Sequence, residues 1–110
     1  MQTSFDTKSE ARKTVWDTLK NEGVARFPFP PHGRIANFEG ARQAADRLFE
    51  TPPLAGAGHI KVNPDAPQRY VRIAALRRGC VVYVPTPRLR GGFKQLDPRT
   101  IPDDELSAAA

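Results

Sequence analysis

The sequence lacks the features of several common protein classes. Its 110 residues include one cysteine, Cys80, so no internal disulfide framework exists, and this fits a reducing compartment such as the cytoplasm. No apolar run resembles a signal peptide or is long enough to span a bilayer. The two histidines, His32 and His59, are far apart and form no metal-ligand pattern with that cysteine. These absences predict a cytoplasmic protein without a metal site or a membrane partner.

Acidic residues are scarce in the second half of the chain. Between Glu50 and Asp97 the only acid is Asp65, while the whole chain has a formal net charge of +5. Such a segment attracts anions such as phosphates, carboxylates or nucleic acid, although a solvated basic face has the same composition. The cations of this stretch are Lys61, Arg69, Arg72, Arg77, Arg78, Arg88, Arg90 and Lys94.

The composition is that of a small folded domain. Hydrophobic residues make up 39% of the chain and charged residues 26%, which is typical of a globular protein. A chain of this length buries only a modest core. We therefore expect one domain over residues 1–110.

The first 50 residues contain two helical patterns separated by a proline-rich segment. Thr7 and Glu10 have capping-box spacing, and Gly23 is a plausible end for the helix that follows. Residues 26–34 contain three prolines and predict an extended segment with two buried phenylalanines. A second helix is predicted over residues 39–50. Its apolar stripe consists of Ala41, Ala44, Ala45, Leu48 and Phe49.

Residues 58–84 are typical of a strand, a helix and a second strand. Residues 58–62 form the first strand candidate, and Asp65 is placed to cap the helix that follows. Residues 80–84 form a nearly continuous apolar run, as in strands buried on both faces of a parallel sheet. The pattern predicts a βαβ crossover, hence an α/β fold with a partial, mostly parallel sheet and flanking helices.

Polar side chains follow both of these predicted strands. Ligands of α/β sheets bind beyond the carboxyl ends of the strands, where Asp65 would offer a carboxylate and Arg88 and Arg90 two guanidinium groups. A ligand with an amino-bearing ring and anionic groups suits that set. Simple helix capping by Asp65 and surface charge for the arginines explain the same residues.

Lys8 and Arg12 form a second candidate site. They are four residues apart, so both cations lie on one face of the first helix, where they can clamp a polyphosphate. A solvated basic face is the alternative.

Three ordered segments carry a resemblance to a known family. Residues 33–41 (GRIANFEGA), 63–68 (NPDAPQ) and 84–90 (VPTPRLR) resemble the GRIPNFxGA, NPDxPQ and PTPRLR segments of the 5-formyltetrahydrofolate cyclo-ligase family. The similar branch is the divergent one, the methenyltetrahydrofolate synthetase domain-containing proteins. Ala36 stands where that branch usually has proline, and Cys80 where it usually has lysine.

The resemblance implies an activity and its cofactors. The family's enzymes use ATP and Mg²⁺ to convert 5-formyltetrahydrofolate to 5,10-methenyltetrahydrofolate, by phosphorylating the formyl oxygen before ring closure. Lys8 and Arg12 match the family's N-terminal Lys-x-x-x-Arg, which contacts the ATP phosphates. Asp65 falls near a glutamate that helps to hold the folate, and Arg88 and Arg90 belong to the branch-specific segment.

The chain also departs from the family. It matches the N-terminal half of the family's fold, and its 110 residues contain no glycine-rich loop like the one that binds nucleotide and metal in the enzymes. We therefore expect little or no turnover from this chain alone. We also expect the chain to be a fragment, a truncated gene product, or a protein that pairs with itself or with another chain. The alternative function is a non-catalytic module for anions or RNA, although Tyr70, Tyr83 and Phe93 are scattered in sequence.

Overall fold

A computed structural model describes residues 4–110, which divide into a first unit ending at Gly40 and a second unit spanning Ala41–Ala110. The first unit begins with helix α1, Lys8–Asn21. Its predicted cap is confirmed, because Thr7 Oγ1 accepts a hydrogen bond from the backbone N–H of Glu10 at 3.1 Å. Gly23, with φ +69°, lies just beyond the helix, as expected for a residue in the left-handed region.

The proline-rich segment differs from its prediction. Strands β1, Ala25–Arg26, and β2, Asn37–Phe38, pair as a short antiparallel ribbon on either side of it. Phe27 and Phe29 were expected to be buried, but they are 77% and 59% exposed. They contact each other edge to face, with ring centroids 6.5 Å apart, and no described element packs over them. A two-residue ribbon is too narrow to provide a second layer that would bury them.

The second unit contains the sheet. Its elements in chain order are α2, Ala41–Leu48; β3, His59–Lys61; α3, Arg69–Arg77; β4, Val81–Pro85; β5, Phe93–Leu96; and α4, Leu106–Ala109. No helix within residues 4–110 is long and apolar enough to cross a lipid bilayer.

Strands β3 and β4 confirm the predicted strand, helix and strand. They pair in parallel, with His59 opposite Val81 and Lys61 opposite Tyr83. Helix α3 connects them and buries Ala75 and Leu76 against the sheet. The core cluster comprises Phe49, Val62, Ala74, Ala75, Leu76, Cys80, Val82, Leu96 and Leu106.

Strand β5 makes the sheet mixed rather than mostly parallel. It pairs antiparallel with β4, and Val82 lies opposite Leu96. The chain reverses because Thr86 donates two hydrogen bonds to the carbonyl of Gly92, from its backbone N–H at 3.0 Å and from its hydroxyl at 2.8 Å. The α/β class is confirmed, and residues 85–110, for which the sequence predicted no helix or strand, contain a strand and a short helix.

The second helix is shorter and less deeply packed than predicted. Its buried positions are Ala41, Ala45 and, just after the helix, Phe49, spaced four residues apart. Ala44 and Leu48 were expected in the apolar stripe, yet both are exposed. A spacing of four residues gives one narrow contact line on the helix, so the neighbouring small residues face solvent.

The guanidinium of Arg72 holds the carboxyl end of β3 in place. The side chain is 5% exposed and donates to the backbone oxygens of Asn63 at 2.6 Å, Asp65 at 3.1 Å and Ala110 at 2.7 Å. Burial lowers the pKa of Arg72, but a guanidinium remains protonated in proteins. No side-chain carboxylate among residues 4–110 lies within ion-pair distance of it, so backbone oxygens accept its hydrogen bonds, while the more distant charge of Asp65 also favours the protonated guanidinium.

Replacing Arg72 by alanine should destabilise the protein strongly. The substitution leaves buried carbonyls without donors, and we expect a loss of about 3 kcal/mol in the free energy of unfolding. Urea denaturation followed by circular dichroism measures the loss. The matched control is Arg69→Ala, because Arg69 is exposed and makes one bond, to the carbonyl of Ser107. Equal losses for the two variants would contradict the role assigned to Arg72.

Candidate functional site

Lys8 and Arg12 lie where the sequence predicted, one turn apart on α1. Both side chains are exposed, and neither has a hydrogen-bond or ion-pair partner in the part of the chain that the structure describes. Helix α1 buries none of its residues, so this face is open to a ligand. Two unneutralised cations at this spacing are able to contact a polyphosphate.

An open groove of about 690 Å³ continues from this face within the first unit. Arg12, Val15 and Trp16 of α1 line one side, and Arg34 and Ile35 line the other. The indole N–H of Trp16 donates to the carbonyl of Arg34 at 3.2 Å and so fastens the two sides together. The groove combines apolar walls with two guanidinium groups.

A charged cluster of Lys13, Asp17 and His32 lies next to Trp16. The carboxylate of Asp17 accepts from Lys13 Nζ at 2.7 Å and lies 2.8 Å from Nε2 of His32. Both hydrogen bonds lower the pKa of Asp17, and the bond from Lys13 has the larger effect. The ring of His32 in turn lies 5.9 Å from that of Trp16. The cluster holds His32 against the indole.

The second unit contains the other predicted site, at the carboxyl ends of β3 and β4. Because these strands are parallel, the segments that follow them leave the sheet at the same edge. A cavity of about 300 Å³ opens there, with walls that include Pro64, Thr86, Arg72 and Lys94. The two strand ends therefore do meet, as the sequence predicted.

Asp65 acts as the capping residue of the turn before α3. Its carboxylate accepts from the backbone N–H of Gln68 at 3.1 Å and from the side-chain amide of Gln68 at 3.0 Å. The amide oxygen of Gln68 accepts from the backbone N–H of Asn63 at 3.1 Å. Asp65 does not line the cavity, and its capping role was one of the two roles that the sequence allowed.

Arg88 and Arg90 lie in the turn between β4 and β5. Both are exposed and outside the cavity, and neither has a side-chain partner among the described residues. Arg88 and its neighbour Leu89 have positive φ values of 53° and 57°. The turn thus presents two free cations close to the strand ends, but the structure does not join them to Asp65 in one pocket.

Three cationic residues that line the groove of the first unit or the cavity of the second were not among the predicted site residues. Arg34 belongs to the GRIANFEGA segment, so the resemblance had marked its neighbourhood but not its side chain. Arg72 interrupts an otherwise apolar helix face, and that interruption was the available signal. Lys94 was visible only as one charge of the basic stretch. Within residues 4–110 no group of three potential metal ligands gathers.

Comparisons with known proteins identify relatives. Over 93 residues, 84% of its length, the chain is 45% identical to the methenyltetrahydrofolate synthase domain-containing protein of Mus musculus and 42% identical to that of Bos taurus. The protein of that name in Danio rerio is 39% identical over 94 residues. No family model matches the chain, and no solved structure matches it.

The chain spans about a quarter of the length of the curated relatives it matches, 25% of the mouse protein and 24% of the bovine one. The similarity therefore concerns one segment of those proteins.

Replacing Asp65 tests its capping role. Asp65→Ala removes both acceptors of Gln68, and we expect the free energy of unfolding to fall by about 1 kcal/mol. Asp65→Asn keeps one oxygen and should recover most of that loss, as thermal or urea denaturation will measure. If Asp65→Ala leaves stability unchanged, the carboxylate does not cap this turn in solution.

Proposed function

The chain belongs to the same family as the methenyltetrahydrofolate synthase domain-containing proteins, and on that premise we propose that it is a 5-formyltetrahydrofolate cyclo-ligase-like protein. It contributes part of a nucleotide- and folate-binding surface and has no turnover by itself. The observation that carries the proposal is the pair of exposed, unneutralised cations Lys8 and Arg12 on α1.

These two cations fit the phosphates of ATP. Each offers charge-assisted donors, and no carboxylate among residues 4–110 competes for them. In the family's enzymes the nucleotide supplies the phosphoryl group that activates the formyl oxygen. The part of this chain is to hold and orient the phosphates and to neutralise their charge.

Magnesium has no such support from the described residues. No set of three candidate ligands gathers in residues 4–110, and the phosphate contacts proposed for Lys8 and Arg12 do not depend on the metal.

The folate-type ligand is assigned to the second unit. Arg88 and Arg90 suit its anionic groups because both guanidinium groups are exposed and free of acidic partners among the described residues. Asp65 gives less support, since both of its oxygens accept hydrogen bonds from Gln68. We propose the arginines as the ligand contacts and Asp65 as the residue that shapes the loop beside them.

Removing the cations of α1 should weaken binding of ATP. We expect Lys8→Gln and Arg12→Gln each to raise the dissociation constant about tenfold, because each deletes charge-assisted hydrogen bonds to phosphate. Isothermal titration of the 110-residue chain with ATP measures the change.

Lys20→Gln is the matched control, since Lys20 is also exposed on α1 and has no ion-pair partner in the described chain. If Lys20→Gln loses as much affinity for ATP as the other two variants, the binding is explained by non-specific charge attraction and not by contacts of Lys8 and Arg12. The same samples should not cyclise 5-formyltetrahydrofolate, and an ordinary enzymatic rate from this chain alone would contradict the proposal that it has no turnover by itself.

A second candidate function is single-stranded nucleic-acid binding, which the exposed face of the sheet favours. The register places Lys61, Tyr83 and Gln95 in one row across the three strands. His59 stacks on Tyr83 with ring centroids 6.0 Å apart, and Phe93, on the same face, is 53% exposed. Tyr83 and Phe93, which look scattered in sequence, therefore share a surface of the kind on which bases stack, whereas Tyr70 lies on α3.

If bases stack on this face, Phe93→Ala should weaken binding of single-stranded RNA about tenfold, as removal of one stacking platform does. Fluorescence anisotropy of a labelled oligonucleotide at several salt concentrations measures affinity and its salt dependence. Phe27→Ala is the control, because Phe27 is 77% exposed but lies in the first unit. Salt-insensitive or undetectable binding, or equal effects of the two variants, would eliminate this function.

A further inference from the structure

The groove of the first unit has a chemical character that the two cations of α1 alone do not explain. It joins Arg12 to a second cation, Arg34, across walls formed by Val15, Trp16 and Ile35. A polyphosphate needs the cations but gains nothing from the apolar walls. The combination instead matches small-molecule sites, where apolar walls hold a ring and a few polar groups fix its orientation.

The charges of the groove are free to act on a ligand. The side chains of Arg12 and Arg34 are exposed, and neither has a hydrogen-bond or ion-pair partner in the described part of the chain. The nearest charged cluster, around Asp17, already pairs its carboxylate with Lys13 and His32. The groove therefore presents net positive charge, which is complementary to an anion.

The apolar walls are exposed and held in place. Ile35 is 64% exposed and Val15 39%, which leaves unusual apolar area open beside two guanidinium groups. The hydrogen bond from the indole of Trp16 to the carbonyl of Arg34 fixes the indole, and His32 packs on it. An aromatic ligand thus meets a wall that is already ordered, which reduces the entropy lost on binding.

We infer that this groove binds an aromatic ring that carries phosphate or carboxylate groups, with the ring against Trp16 and Ile35 and the anionic groups on Arg12 and Arg34. The inference rests on the proposed function only in sharing Arg12 with the phosphate contacts of α1. It adds Arg34 as a binding residue and assigns a place to the ring. Two sources offer this chemistry, a nucleotide and a folate.

Trp16 provides a direct test because it is the only tryptophan of the chain, so its indole N–H gives a single, self-identified peak in a ¹H–¹⁵N spectrum. The 110-residue chain is titrated separately with inorganic triphosphate, ATP, adenosine and 5-formyltetrahydrofolate. We expect ATP or 5-formyltetrahydrofolate, which each have a ring and anionic groups, to move the peak in a saturable way. Adenosine lacks the anionic groups and triphosphate lacks the ring, so both should bind at least tenfold more weakly.

Two variants with matched controls locate the contact. Arg34→Gln should weaken binding of the favoured ligand about tenfold, and Lys20→Gln should not. Ile35→Ala should weaken it about threefold, whereas Phe27→Ala, at another exposed apolar residue of the same unit, should leave it unchanged. Because Arg34 and Ile35 are both exposed, neither substitution disturbs a packed core.

The outcomes separate this inference from the proposed function. If triphosphate binds as tightly as ATP, and Arg34→Gln and Ile35→Ala leave the affinity unchanged, the phosphate contacts of α1 stand but the inference about the groove is wrong. Movement of the indole peak by 5-formyltetrahydrofolate but not by ATP would support the groove and contradict both the nucleotide contacts of α1 and the assignment of the folate-type ligand to the second unit. No movement of the indole peak with any ligand would overturn the groove whatever titration calorimetry reports for ATP.

Discussion

Three backbone oxygens converge on the guanidinium of Arg72, and the loop at the carboxyl end of β3 depends on how that buried charge is satisfied. Two of them, from Asn63 and Asp65, belong to the loop that leaves β3, and the third belongs to Ala110 beside α4. A buried cation without a side-chain ion pair tolerates few arrangements of its acceptors, because each missing acceptor leaves the charge poorly solvated. The loop that leads into α3 is therefore fixed by a residue within α3.

The order of the elements could be predicted from local patterns, but their packing could not. Capping at Thr7, the stop at Gly23 and the apolar run over residues 80–84 each act within a few residues, and the structure retains all three. Burial of Phe27 depends on whether another layer covers it, and no local pattern contains that information. Strand β5 was missed for a related reason: its pairing depends on the turn closed by Thr86 and Gly92 rather than on an apolar run.

The candidate sites divide in the same way. Lys8 and Arg12 were predictable because helical geometry alone places them on one face. Arg34 was not, because it meets Trp16 only after the chain has turned back along α1. The exposed aromatic face needed the register of three strands, since Tyr83 and Phe93 are ten positions apart and come together across a hairpin. Chemistry that depends on chain reversal was the part that sequence alone could not supply.

The turn that joins β4 to β5 holds two residues other than glycine in the left-handed region, Arg88 and Leu89. Such a conformation costs an L-residue about 1 kcal/mol relative to one that glycine adopts freely. The same turn contains glycine at positions 91 and 92, whereas positions 88 and 89 carry arginine and leucine. The backbone accepts this strain while exposing one guanidinium and one isobutyl group to solvent at the tip of the β4–β5 hairpin.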